Sequence, residues 1–521
     1  MTTDDRPLAP PRDWITPASW LVVAATLAML LVFVAGHSFS IYDDAYIYFR
    51  YADDLRDGCG PTFNCGDPPV EGFSSPLFLA LLVLGGALGG DVEAWSQVLG
   101  PACLAVALGL AIRVPVGRTG AALAIARGPG LAAAAAVALL LGLDDYVLLN
   151  AVSGLETGLA AAVAVALLRA VLRREVGATA TWSVVGVLAR PELGVLVLLL
   201  PVLPWMRRRR AVLGVIGALV LITALRLAIF GDPLPNTYWA KSGGTAVHAR
   251  LGAEYLAQVL RDFPFVALAP LALLDRAHRR EHGFVLLGAL AWGLAFLRTG
   301  GDHFAYGRLA FPLVPVLVAQ AAVGLVHATA RLEPRPWLRA AAVLLPALGV
   351  GARAQLQHGL AEGHGFANVQ RWALVGRWLA EHHPGETIAT VPVGAMAHAS
   401  GLRTLDLVGI TSREVARAGG TVPTELMRRN WLGHERHATQ WVLDQAPELI
   451  VTTKFRAEPW RRLEETRAGF YADWLLLQEI KAGRAPYRIY DAEVTPGVHW
   501  LMFRRTADAA PTGPRLPPPP E

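Results

Sequence analysis

The sequence predicts a polytopic α-helical membrane protein with about eleven transmembrane helices and a C-terminal extracytoplasmic α/β domain. Three observations predict it. Of 521 residues, 54% are hydrophobic and only 17% are charged, whereas soluble domains carry about 25% charged residues. The mean hydropathy is +0.39. Apolar runs of membrane-spanning length alternate with short Arg clusters, which set topology by accumulating on the cytoplasmic side. This composition excludes a single hydrophilic enzyme, a disordered chain and a free nucleic-acid binder. The net charge of +5 then reads as positive-inside bias, with no nucleic-acid partner.

The elements follow in order. Residues 1–18 form a polar cytoplasmic leader, and the first span, 19–37, lacks a small-residue cleavage site and is a retained anchor. A long first outside loop, 38–96, holds Cys59 and Cys65, which can form a disulfide on the oxidising face. The apolar run Leu77 to Gly90 inside it reads as interfacial or re-entrant, because counting it as a span would flip Arg113, Arg118, Arg127 and every later basic cluster outside. Spans follow at about 97–114, 130–146, 157–172, 176–190, 192–204, 211–230, 254–275, 283–297, 309–327 and 339–352. Inside loops then carry Arg169, Arg173 and Arg174, the run Arg207 to Arg210, Arg276, Arg279 and Arg280, and Arg331, Arg335 and Arg339. Residues 19–352 thus form the transmembrane domain. From 353 to 506, one amphipathic helix and several short apolar strands predict a compact outside α/β domain, and 507–521 is a Pro-rich disordered tail.

The chemistry gathers in the outside loops. In IYDDAYIYFRYADDLRDG, Asp43 and Asp44 stand at a membrane boundary among Tyr42, Tyr46, Tyr48, Phe49 and Tyr51, where one carboxyl with a raised pKa suits a general base. A helix cap on a solvated interfacial helix explains the same pair. Four further segments suit a polar ligand: NAVSGLETG with Glu156, ARPELG with Arg190 and Glu192, FGDPLPNTYWAKSGG with Asn236, Tyr238 and Lys241, and RTGGDHFAYGR with Asp302, His303 and Arg308. Arg190 and Glu192 sit between apolar runs, which requires mutual pairing or a cavity. Lys241 and Arg308 either meet an anionic lipid head group or snorkel. Asp302 and His303 make half a metal site without a third ligand, while a hard cation (Mg, Mn or Ca) on Asp43, Asp44 or Glu71 stays open. The sequence has no Walker loop, GxSxG elbow or HExxH.

Read together, DDAYIYFRYADDLRDGCGPTFN, PPVEGFSSPLF, VSGLETGL, LARPELG, FGDPLPNTYWAK, GGDHFAYGRLAFP and VGAMAHASGLRTLDLVGI resemble, in order over about residues 40–410, the motifs of the GT-C membrane glycosyltransferases. The similarity is closest to the mycobacterial terminal β-(1→2)-arabinofuranosyltransferase (AftB) group. The departure is the insert PTFNCGDPP around the cysteine pair. The resemblance implies a multi-pass enzyme of the bacterial inner membrane whose active site and C-terminal domain face the periplasm. It moves a sugar, arabinofuranose by preference, from a polyprenyl-phosphate donor in the bilayer to a cell-envelope glycan. Mannosyl or aminoarabinosyl transfer is the alternative. It further implies a catalytic base at Asp43 or Asp44, of which Asp43 is preferred, with Tyr46, Arg50, Glu71, Glu156, Arg190, Glu192, Asn236, Tyr238, Lys241, Asp302, His303 and Arg308 as substrate neighbours. A lipid or solute transporter is the rival class, but paired halves with broken helices do not show in the sequence. A non-catalytic assembly protein would not need the Asp pair.

Overall fold

A computed structural model describes residues 17–37, 41–115, 127–206, 209–241, 243–304, 306–332, 335–358 and 364–506. The leader up to residue 16, Arg118, Arg207, Arg208 and the tail 507–521 lie outside the described residues. The chain is a multi-pass helical membrane protein with a mixed α/β region at its C-terminal end.

Helix α1 (Pro17–His37) is followed by α2 (Asp43–Arg56), α3 (Pro76–Ala87) and α4 (Val92–Ile112). The next helices are α5 (Arg127–Gly142), α6 (Asp145–Val152), α7 (Thr157–Leu172), α8 (Val176–Ala189) and α9 (Gly194–Leu199). Then come α10 (Arg209–Phe230), the single turn α11 (Asn236–Ala240), α12 (Ala246–Asp262), α13 (Arg279–Thr299), α14 (Val314–Ala328) and α15 (Pro336–His358). Ser75 caps the run predicted as interfacial, accepting from the Phe78 amide at 3.2 Å, and α3 lies beside α2 and α4.

The eleven expected spans differ in length and continuity. Among the described residues five helices are long and apolar enough to cross a membrane, and seven if two bent pairs each count once. The span expected at 130–146 breaks before Asp144, whose carboxylate caps α6 through the Tyr146 and Val147 amides (2.9 and 3.2 Å), and the chain turns by 61°. The span expected at 254–275 breaks at Phe263. Proline disfavours helix in the residue before it, so α12 stops and a 3₁₀ segment, Pro264–Leu274, leaves at 81°. The spans expected at 157–172, 176–190, 192–204 and 339–352 are shorter apolar helices, Thr157–Leu172, Val176–Ala189, Pro191–Val202 and Pro336–Ala352. Buried Ala, Val and Leu of α4, α5, α7 and α14 form the bundle core.

The loops sort to two ends of the bundle. Arg174 donates to Glu281 Oε1 (2.7 Å) and to the Ala277 carbonyl (2.6 Å), Trp205 Nε1 reaches the same Glu281 oxygen (3.1 Å), and His327 lies 3.9 Å from Asp275. Those segments therefore meet one another. Glu156 and Arg173 flank α7, whose 16 residues separate the two ends by about 24 Å.

Beyond α15, helix α16 (His364–His382) packs on a sheet of order β2-β1-β5-β7-β6. Its strands are β1 (Ile388–Thr390), β2 (Thr404–Asp406), β5 (Leu449–Arg456), β6 (Tyr487–Thr495) and β7 (Val498–Arg505). β1 runs parallel to β2 and β5, while β7 runs antiparallel to β5 and β6. Between them lie α17 (Ala395–Ser400), α18 (Arg413–Ala418), the small ribbon β3 (Gly420–Thr421) and β4 (Arg436–His437), α19 (Thr439–Asp444) and α20 (Tyr471–Lys481). Two apolar clusters, one containing Leu405, Ile450 and Phe503 and the other Val451, Trp500 and Met502, build its core.

Candidate active site

The first loop, between α1 and α4, and the C-terminal region are stitched together. Arg50 is buried, and its guanidinium donates to the carbonyls of Phe63 (2.6 Å), Ala397 (2.6 Å) and Leu402 (2.8 Å) and to Asn64 Oδ1 (3.1 Å). Cys59 and Cys65 are disulfide-bonded and close the short loop that presents Phe63 and Asn64. Asn64 extends β2 by exchanging hydrogen bonds with the Thr404 backbone at 2.9 and 3.1 Å. Asp43 accepts from the amides of Gly394 (3.1 Å) and Ala395 (2.8 Å) at the start of α17. A side chain at Gly394 would collide with the Asp43 carbonyl, so only glycine lets the two backbones approach this closely.

The loop after β2 is held by Asp406. Its carboxylate accepts from the amides of Val408 (2.8 Å), Gly409 (3.0 Å) and Thr411 (2.7 Å). Asn236 Nδ2 then bonds the Gly409 and Ile410 carbonyls at 2.8 and 2.9 Å, which brings Ile410 over the mouth of the helical bundle.

Beneath Ile410 lie two adjoining cavities that share Asp44, Lys241, Arg308, Leu309 and Ile410. The first is polar on one side: Tyr48, Ser74, Glu156 and Arg190 form a chain in which Tyr48 Oη is 3.3 Å from Ser74 Oγ, Ser74 Oγ is 3.3 Å from Glu156 Oε1, and Arg190 Nη1 is 3.2 Å from that oxygen. Glu156 Oε2 is buried with no hydrogen-bond partner among the described residues. The second is lined by Glu192, Asp302, His303 and His434, with an apolar wall from Trp292 and Phe296 of α13 and from Leu432.

Charge at the junction is tightly organised. Arg308 donates to Asp302 Oδ2 at 2.6 Å and to Asp44 Oδ2 at 2.8 Å. Burial pushes the Asp44 carboxyl up, but Arg308 and Lys241 outweigh it and hold it at about 2. At Asp43 burial wins over the two amide bonds, and Asp44 adds to it, so the carboxyl is pushed up to about 7. Burial and the neighbouring His434 push the His303 imidazole down to about 3.

Of the residues expected from sequence, Asp44, Glu156, Arg190, Glu192, Lys241, Asp302, His303 and Arg308 line the cavities together. The others are held in contacts away from the cavities. Arg50 and Asn236 are consumed by the stitches above, Tyr46 Oη donates to Glu93 (3.0 Å), and Glu71 takes a bidentate pair with Arg226 (3.0 and 3.2 Å). Tyr238 is exposed against Trp239, and Asp43 faces α17. Asp43, Asp44 and Glu71 do not fit a shared cation, because each carboxylate is already turned to a different N–H donor, and no group of three or more His, Cys, Asp or Glu among the described residues is arranged to hold a metal. Sequence reasoning missed His434, which carries no motif, and gave no role to Ser74 within the quoted EGFSSPLF.

This arrangement of helices, first loop and C-terminal region is the GT-C membrane fold. The chain is similar in structure to ArnT from Cupriavidus metallidurans bound to undecaprenyl phosphate, with 13% identity and a TM-score of 0.53 over 96% of this chain and 100% of that one. The apo state of that protein gives 15% identity and a TM-score of 0.52 over 95% and 99%. Arabinofuranosyltransferase AftD from Mycobacteria gives 16% identity over 93% of this chain and 41% of that one, at a TM-score of 0.49. Residues 362–495 match a family described as a domain of unknown function (DUF8728). No curated protein sequence matches the chain.

Proposed function

We propose that the chain is a glycosyltransferase that moves a sugar, arabinofuranose by preference, from a polyprenyl-phosphate donor to a cell-envelope glycan on the extracytoplasmic face, by inverting general-base catalysis. The observation that carries this is the junction of the two cavities, where one carboxylate, Asp44, stands against the cations Arg308 and Lys241. The fold's similarity to a protein crystallised with undecaprenyl phosphate supports a prenyl-phosphate ligand.

The reaction needs a base for the acceptor hydroxyl and positive charge for the departing phosphate. Asp44 is ionised in the resting site because Arg308 balances it. An incoming phosphate competes for that guanidinium, which frees the carboxylate and raises its basicity as the substrates assemble. The acceptor oxygen then attacks the anomeric carbon, its proton passes to Asp44, and the bond to the phosphate oxygen breaks with its electron pair left on the phosphate beside Arg308 and Lys241. Glu156, with one buried oxygen unpaired, is placed to accept from sugar hydroxyls. The base is assigned to Asp44 over Asp43, whose carboxylate is occupied by α17.

The test is transfer from decaprenylphosphoryl-arabinose to an arabinan acceptor by the protein in nanodiscs. Asp44→Asn should lower the rate by about 10²–10⁴-fold in a protein that still folds and inserts. Full activity in Asp44→Asn overturns the assignment. Transfer only from a mannosyl or aminoarabinosyl prenyl phosphate keeps the reaction class and replaces the sugar.

A further inference from the structure

We propose that His434, carried by the C-terminal region, binds the phosphate of the prenyl-phosphate donor together with His303 and so completes the donor site. This rests on the reading given under Proposed function and extends it to a residue outside the helical bundle. His434 and His303 face each other with ring centroids 5.0 Å apart, on the wall of the cavity that also holds Lys241 and Arg308. The wall also carries Asp44 and Asp302, both paired with Arg308, and Glu192, paired with Arg190, beside an apolar face from Trp292, Phe296 and Leu432. Two imidazoles and two cations beside hydrocarbon suit an anionic head on an apolar tail, whereas a glycan would meet its hydroxyl partners in the neighbouring cavity at Glu156 and Ser74.

The backbone fixes His434 in this place. Gly433, at φ +80°, makes the left-handed turn before it, and Leu432 is buried with Leu251 of α12. Immediately after it, the Glu435 carbonyl accepts from the Val422 amide at 2.9 Å. The imidazole is therefore held against the helical bundle from both sides, as a binding residue must be.

The test uses the full chain in nanodiscs with decaprenyl phosphate as the binding probe. His434→Leu keeps the volume without a donor and should weaken binding by about tenfold, raising the donor KM while the acceptor KM stays. His434→Gln restores a donor and should bind within about threefold of wild type. Should His434→Leu fail to fold, His434→Ala serves in its place. Wild-type binding in the variants lacking a donor, or a rise in acceptor KM alone, overturns the inference. Absence of decaprenyl phosphate binding by the wild-type protein is a different result, because it removes the proposed function itself and this inference with it.

Discussion

Asp43 and Asp44 are chemically identical neighbours with opposite fates, because successive helical residues point about 100° apart. One meets two backbone amides of α17, the other a guanidinium. The sequence shows the pair; it cannot show which member faces the cavity, since that depends on chain some 350 residues away. The raised Asp43 carboxyl has a stability consequence whose sign is definite. Its pKa is about 7 in the folded protein and the ordinary 3.8 unfolded, so the folded state holds the proton more tightly. This contribution is fully present below about pH 4 and is lost as pH rises to about 7. Asp43→Asn should flatten that part of the pH profile of thermal unfolding in detergent; an unchanged slope between pH 4 and 7 contradicts it. Arg50 makes the complementary case. Removing its buried bonds in Arg50→Ala should cost about 3 kcal/mol or more, at roughly 1.5 kcal/mol for each of at least two charge-assisted bonds. Arg50→Lys should not rescue it, because one ammonium lacks the forked geometry that reaches four acceptors. Both are read from unfolding midpoints in denaturant.

At the scale of elements, apolar run length located most helices, and composition located α16 and the strands β1, β5, β6 and β7. β2 was not legible as a strand. Hydropathy averages could not show the breaks at Asp144 and Phe263, because one capping aspartate and one proline barely change a window mean while redirecting the backbone by 61° and 81°. The bent segment from Pro264 packs directly on α14. A side chain on Gly324 would stand 2.5 Å from the Ala272 nitrogen, which is backbone and cannot swing aside. Gly324→Val should therefore destabilise by about 1–3 kcal/mol, seen as a lower unfolding temperature with the membrane insertion unchanged. The Cys59–Cys65 bridge closes a loop of small sequence separation, 6 residues, so its loss in Cys59→Ser should cost only about 2 kcal/mol by the chain-entropy argument. A wild-type protein insensitive to reductant in the same unfolding assay would contradict that.

Across the whole molecule, the two halves of the site were legible to different degrees. Glu156, Arg190, Asp302 and Arg308 announce themselves as charges at the ends of apolar runs, where only a cavity or a partner makes them tolerable. His434 and Ile410 lie in an ordinary soluble-looking stretch, and only the docking of that stretch onto the first loop brings them to the cavity. The insert around the cysteine pair, which departs from the family pattern, is the clamp for β2.

That clamp also orders events during biosynthesis. Asn64 finds its backbone partner 340 residues later, and Asp43 its partners 351 and 352 residues later. At a translation rate of about 5–20 residues per second, the first loop waits on the order of twenty seconds or more before β2 and α17 arrive. Once Arg308 has been translated, 264 residues after Asp44, the nascent chain holds the two together with no roof, and the cavity closes only when translation has passed residue 434.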